Sequence, residues 1–251
     1  MTGIKNTAYP PIIVFLALLM TILVMRGPIT CVGAVAEEII KTLQIGYPAY
    51  GFLNALPIAC FGLFCAAAPA MSKRFGLLVT VLICLALILI GAAGRLISSY
   101  SVMLMATALI GIGIAVLNVL MPVLLRDYFP NNIALVMGVF TGFIGFSGSI
   151  GAYFSVPLLN AFGSLNAPLG LWVLMPALAI TAWFTVPRAK RIAVAGGAFQ
   201  WDLLKKPLTW AVIFVMGMQS LTIYTTVAWL PTILNTWGFS ASSAGLGSAV
   251  F

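Results

Sequence analysis

The sequence predicts an all-α fold, a polytopic bundle of membrane-spanning helices. Three observations predict it. Apolar residues fall into blocks of roughly 18 or more, the length that carries a helix across a hydrocarbon layer ~30 Å thick. Charge is scarce: 6% of the 251 residues are charged and 63% are hydrophobic, against about 25% charged in an average soluble domain. The basic residues stand singly or in pairs between the blocks, where they anchor helices at a membrane face. The net charge of +8 therefore signals a lipid bilayer as partner and excludes a nucleic-acid stripe.

The spans follow in order. The first covers 11–40. Lys5 followed by an apolar run from Pro11 imitates a signal peptide. The run is too long for one and no small-residue cleavage site follows, so it reads as a retained span. The second covers 48–71 and opens after Gly46-Tyr47-Pro48. The third covers 76–97 and ends at Ser98-Ser99. The fourth covers 101–125, and the fifth, 133–159, follows Pro130-Asn131-Asn132. The sixth, 168–186, follows Gly163-Ser164-Leu165-Asn166. Each break carries residues that leave the helical phase. The seventh covers 207–230. An eighth begins near Ser240 and has only about ten residues before Phe251, where ~20 are needed to cross. The expectation is a chain truncated after about seven spans.

Orientation follows from the basic residues. With the N-terminus in the cytoplasm of a bacterial inner membrane, Lys5, Lys73, Arg74, Arg126, Arg188, Lys190, Arg191, Lys205 and Lys206 are all cytoplasmic. Only Lys41 and Arg95 fall on the other side, and Arg26 lies within a span. This is a strong positive-inside bias. Residues 1–187 then form a six-helix bundle, 188–206 a long basic cytoplasmic linker, and 207–251 the start of a second bundle.

Arg26 is the sharpest chemical feature. It stands about 15 residues into the first span, ~22 Å along a helix, near mid-membrane. An arginine there costs several kcal/mol by insertion scales. Gly27-Pro28 weakens the helix at the same level, and a broken helix frees backbone groups to line a cavity. Two readings stand side by side. One is a guanidinium that binds a small anion through two prongs; the other is a structural arginine capped by carbonyls or paired with an acid. Asn54, Asn118, Gln219, Ser220, Tyr224, Thr225 and Thr226 also lie within spans. Amides and hydroxyls bind small polar solutes and equally glue helices together. The candidate solute-binding set is Arg26, Asn54, Asn118, Gln219 and Tyr224.

Gly138, Gly142, Gly145, Gly148 and Gly151 form one small face of the fifth span, suited to close helix packing or to sliding against another helix. The acids Glu37, Glu38, Asp127 and Asp202 avoid mid-membrane, which weighs against a carboxylate relay in these spans. Cys31, Cys60, Cys65 and Cys84 lie in apolar blocks and read as small packing residues. The sequence has no histidine, no metal-ligand spacing and no phosphate loop. No catalytic residue, metal or cofactor is expected.

Several segments resemble the cyanate/2-nitroimidazole transporter branch of the major facilitator superfamily. They are Met25-Arg26-Gly27-Pro28-Ile29-Thr30, Ser72-Lys73-Arg74-Phe75-Gly76, Gly111 to Ala115 with Asn118 to Pro122 and Arg126 to Pro130, and Trp229-Leu230-Pro231. The loop holds Lys73 where the superfamily pattern has an Asp. The first segment reads Arg-Gly-Pro where cyanate members have Arg-Pro, so the branch is implied rather than cyanate itself. The resemblance implies twelve helices in two halves, a pocket between them, and alternating access. The expected function is secondary active transport of a small polar or anionic solute by a monomer, with the coupling ion left open. The carried-over site residue is Arg26, with Asn118 second. The rivals are an inactive truncated fragment and a membrane-embedded enzyme, for which the spans offer no catalytic acid, histidine cluster or metal site.

Overall fold

In the computed structural model, residues 11–186 and 205–238 are described. They form nine α-helices and one short 3-10 turn, with no strand among them. The linker, apart from residues 205 and 206, and the eighth span lie outside the described residues. Helix α1 is Pro11–Ala34, α2 Ala36–Leu43, α3 Tyr47–Phe64, α4 Ala67–Phe75 and α5 Leu77–Gly94. Helix α6 is Tyr100–Tyr128, α7 Ile133–Phe162, α8 Asn166–Thr185 and α9 Pro207–Thr236. Helices α1, α3, α5, α6, α7 and α8 are each long and apolar enough to cross a membrane.

Two of the predicted spans are divided. The first breaks at Val35, after which α2 turns amphipathic, burying Ala36 and Ile39 while Glu37 and Lys41 face outward. Gln44 then ends α2 in a left-handed conformation at φ 51°, with Ile45 N–H reaching back to the Ile40 carbonyl at 3.1 Å. This closes the orphan carbonyls of the last turn. The second span breaks after Phe64 and resumes as α4. Gly76 stands at φ 85° between α4 and α5 and caps both, a conformation strained for any residue with a Cβ. Helix α9 continues through Pro231 to Thr236, past the predicted end at 230.

Helix α1 is the axis of the fold. It packs along α7 and α8, while α6 pairs with α5 and α3. The larger core joins Leu18, Ile22 and Met25 of α1 to Leu85 and Ile88 of α5, Ile114 and Leu117 of α6, and Trp183 of α8. A second core gathers Cys31 and Val32 of α1, Tyr50 and Leu53 of α3, and Trp172 of α8. Lipid tails are as apolar as these side chains, so close packing and internal hydrogen bonds hold such helices together. A Cβ on Gly113 would lie 2.7 Å from the Cys84 carbonyl oxygen, and one on Gly111 would lie 2.9 Å from the Pro57 Cα. Those glycines set how closely α6 approaches α5 and α3. The buried Trp183 donates its indole N–H to Thr21 at 2.7 Å, and Thr21 donates to the Ala17 carbonyl at 2.8 Å.

Candidate functional site

Pro28 has no N–H, so the Val24 carbonyl in α1 loses its helical donor. The neighbouring rung is shared with another helix. Gly27 N–H donates to the Ser147 hydroxyl of α7 at 3.3 Å, and that hydroxyl donates to the Leu23 carbonyl at 2.6 Å. One side chain thus meets both ends of the Leu23–Gly27 rung. Thr30 donates to the Gly148 carbonyl at 2.8 Å, a second tie between α1 and α7. The helices come this close because both carry glycine. A Cβ on Gly151 would stand 2.8 Å from the Gly27 Cα, and one on Gly27 would run into the indole of Trp172.

Arg26 sits half-buried on this stretch, 15 residues from the start of α1. A Cβ on Gly148 would be 3.9 Å from its own Cβ. Two residues on, the Pro28 carbonyl accepts a hydrogen bond from Arg95 Nη1 at 2.6 Å. Arg95 Nε and Nη2 both donate to Thr107 Oγ1, at 3.1 and 3.0 Å. The sequence reading places Arg95 at the outer end of the third span, on the outer face. The structure instead buries it, with 5% of its surface exposed, where it ties the end of α5 to α6 and to the weakened turn of α1. Its planar fork suits this task, since several donors are held in fixed directions.

Asn54 lines a cleft between α3 and α9. Gly51, Asn54, Ala55, Ile58 and Ala59 of α3 face Gly217, Ser220, Leu221, Thr225 and Trp229 of α9 across about 420 Å³. The volume falls in the range of small-molecule sites. Its walls are mostly apolar, with Asn54, Ser220 and Thr225 as polar groups. Trp229 meets Tyr50 edge-on at 6.0 Å, and Tyr50 donates to the Val32 carbonyl of α1 at 3.1 Å. The cleft wall is therefore tied to the helix that carries Arg26.

Of the five sequence candidates, one lines this cleft. Asn54 lines the cleft; Arg26, Asn118 and Gln219 are not among its lining residues. Asn118 is half-buried on α6 and Gln219 exposed on α9, while Tyr224 lies on α9 with its side chain outside the described residues. Sequence reasoning missed Ser147, which reads as one more small residue in the glycine face. That face divides in two. Gly148 and Gly151 meet α1, whereas a Cβ on Gly138, Gly142 or Gly145 would meet open space among the described residues. The only sequence signal for Ser147 is a hydroxyl-bearing residue in a run of glycines.

Six helices long and apolar enough to cross a membrane, the first weakened at an arginine and tied to its neighbour by glycine contacts, define a polytopic helical membrane protein. The chain belongs to the Major Facilitator Superfamily, whose family model matches residues 14–251. It is 31% identical over 238 residues to the 2-nitroimidazole transporter of Escherichia coli (strain K12), covering 93% of this chain and 60% of that protein. It is 30% identical over 225 residues to the uncharacterized transporter YycB of Bacillus subtilis (strain 168), covering 88% and 56%. With the cyanate transport protein CynX of Escherichia coli (strain K12) it shares 25% identity over 88% of this chain and 58% of that protein. The chain thus spans between 56% and 60% of the length of these relatives. Its fold is that of a bacterial homolog of the human lysosomal transporter Spinster, in an inward-facing and unoccupied conformation. The TM-score is 0.75 at 18% identity, over 98% of this chain and 60% of that one. A D-xylose-proton symporter matches at TM-score 0.61 and 17% identity, over 95% and 65%.

Proposed function

We propose that this chain is the substrate-binding part of a secondary active transporter for a small polar or anionic solute, working by alternating access in a bacterial inner membrane. The observation that carries the reading is Arg26. A half-buried guanidinium at bilayer depth is costly, and such charges persist where they serve a solute or ion pathway. It lies on a helix whose backbone is weakened by Gly27 and Pro28, the kind of discontinuity from which transporter sites are built. The names of two relatives, a 2-nitroimidazole transporter and a cyanate transport protein, support a compact, polar solute. In this reading residues 1–187 are the first of two rocking bundles, the N-terminus is cytoplasmic and the protein works as a monomer. Asn54 supplies a neutral polar contact from the cleft between α3 and α9, and Asn118, Gln219 and Tyr224 complete the solute path.

The test is uptake of labelled 2-nitroimidazole and cyanate by liposomes containing the intact protein. Arg26→Gln should abolish uptake while the protein still inserts and unfolds at its usual temperature. Undiminished uptake removes Arg26 from the site. Failure of Arg26→Gln to insert makes the residue structural and overturns the reading.

A further inference from the structure

We infer that Ser147 is a positioning residue for Arg26, its hydroxyl fixing the turn of α1 from which the guanidinium projects; this rests on the reading of Arg26 given above. Ser147 is fully buried, with no exposed surface. Its hydroxyl accepts from Gly27 N–H at 3.3 Å and donates to the Leu23 carbonyl at 2.6 Å. A serine on an α-helix commonly turns its hydroxyl back to its own i−4 carbonyl. Ser147 instead spends its one donor on the Leu23 carbonyl of another helix and accepts from Gly27, the residue adjoining Arg26. A side chain reaching into the rungs of a neighbouring helix is a recognised cause of local bending. Here it acts one residue before Pro28, whose missing N–H already weakens the ladder.

The consequence is directional. Gly27 is held to α7 through its amide, and residue 26 follows it rigidly, since neighbouring side chains on a helix are set ~100° apart by 3.6 residues per turn. Thr30 repeats the tie one turn on, through the Gly148 carbonyl at 2.8 Å. Because that contact and the Gly151 approach survive loss of the Ser147 hydroxyl, its removal should loosen the orientation of this turn without separating the helices. The hydroxyl thus sets where the guanidinium stands, whereas the glycines set how closely α1 and α7 approach.

The experiment reads the position of residue 26 without any solute. The intact protein is prepared with Cys65→Ser, since Cys65 is exposed whereas Cys31, Cys60 and Cys84 are buried. Arg26→Cys is added, and its rate of reaction with a water-soluble thiosulfonate reagent is measured in native membranes, with Cys65→Ser alone as background. Adding Ser147→Ala should change that rate by about tenfold, the reach of a strong interhelical hydrogen bond in a membrane. Ser147→Thr, which keeps the hydroxyl, should leave it near the starting rate. Ser147→Gly deletes the same hydroxyl on a helix already rich in glycine and carries the same test if Ser147→Ala fails to insert. An unchanged rate after loss of the hydroxyl overturns the inference and leaves Ser147 as packing. So does a Thr variant that behaves like Ala. These outcomes are separate from those of Arg26→Gln in uptake. Loss of uptake there with an unchanged labelling rate here sinks the role of Ser147 alone. Normal uptake there sinks the solute role of Arg26, and with it any function for its positioning.

Discussion

Two arginines lie within a turn of one another along α1, and they differ in what holds them. Arg26 belongs to α1 itself. Arg95 arrives from the end of α5 and is satisfied by Thr107 and the Pro28 carbonyl. The carbonyl supports a turn that Pro28 has weakened, so Arg95 has a structural task at the same level where Arg26 has a proposed chemical one. Arg95→Met should leave the Thr107 hydroxyl and the Pro28 carbonyl without this partner, at a cost of about 1–3 kcal/mol for each buried group left unsatisfied. Thermal unfolding of the purified protein in detergent measures this as a lowered midpoint. Arg95→Lys should recover only part of the loss, because one ammonium cannot reproduce the guanidinium fork. An unchanged midpoint in Arg95→Met would mean that the three hydrogen bonds are not holding the helices. Arg26 was legible in the sequence because an arginine in an apolar block is conspicuous. Arg95 was not, because it stands at a block end where basic residues normally meet water. Only the packing of α1 and α6 shows that its partners are protein groups.

Among the helices, the sequence located every described span, because hydrocarbon thickness demands long apolar blocks and because Gly, Pro, Ser and Asn mark the ends. It misread two of them as unbroken. The α1–α2 break lies at Val35, two residues after Gly33; a lone glycine inside an apolar run is a weak signal, and the informative cue was Glu37, Glu38 and Lys41, too polar for a continuing span. The glycine face of α7 was legible as a pattern but not as two different surfaces, since sequence spacing does not say which neighbour each residue meets. The structure makes the difference testable. Gly151→Ala forces a methyl group to within 2.8 Å of the Gly27 Cα, closer than carbon atoms normally pack. It should lower the unfolding midpoint, in keeping with overpacking costs of about 1–3 kcal/mol. Gly142→Ala points into open space among the described residues and should be neutral or slightly stabilising. Equal losses for the two variants would contradict the assigned contacts of α7.

At the scale of the molecule, membership in the Major Facilitator Superfamily was legible from motifs, while the surroundings of the candidate site residues were not. Arg26 and Asn54 lie within membrane-length helices, as their apolar blocks implied. Which neighbours each meets, α7 beside the Arg26 turn and α9 across the cleft from Asn54, depends on tertiary packing that periodicity cannot convey. The proposed orientation has its own test. Lys73, near the end of α4, and Ser98, after α5, are both exposed and flank α5 on either side. On a Cys65→Ser background, Lys73→Cys should react with a membrane-impermeant thiol reagent only from the cytoplasmic side and Ser98→Cys only from the outer side; the reverse pattern inverts the topology. Above all, a solute is proposed to meet the guanidinium of α1. Titrating 2-nitroimidazole and cyanate into the purified intact protein, its Arg26→Lys variant and its Arg26→Gln variant, and measuring the heat of binding, asks this with no transport step in between. The starting protein should bind, Arg26→Lys should bind more weakly and Arg26→Gln should not bind, with all three folded. Equal affinity in Arg26→Gln would contradict a solute role for Arg26.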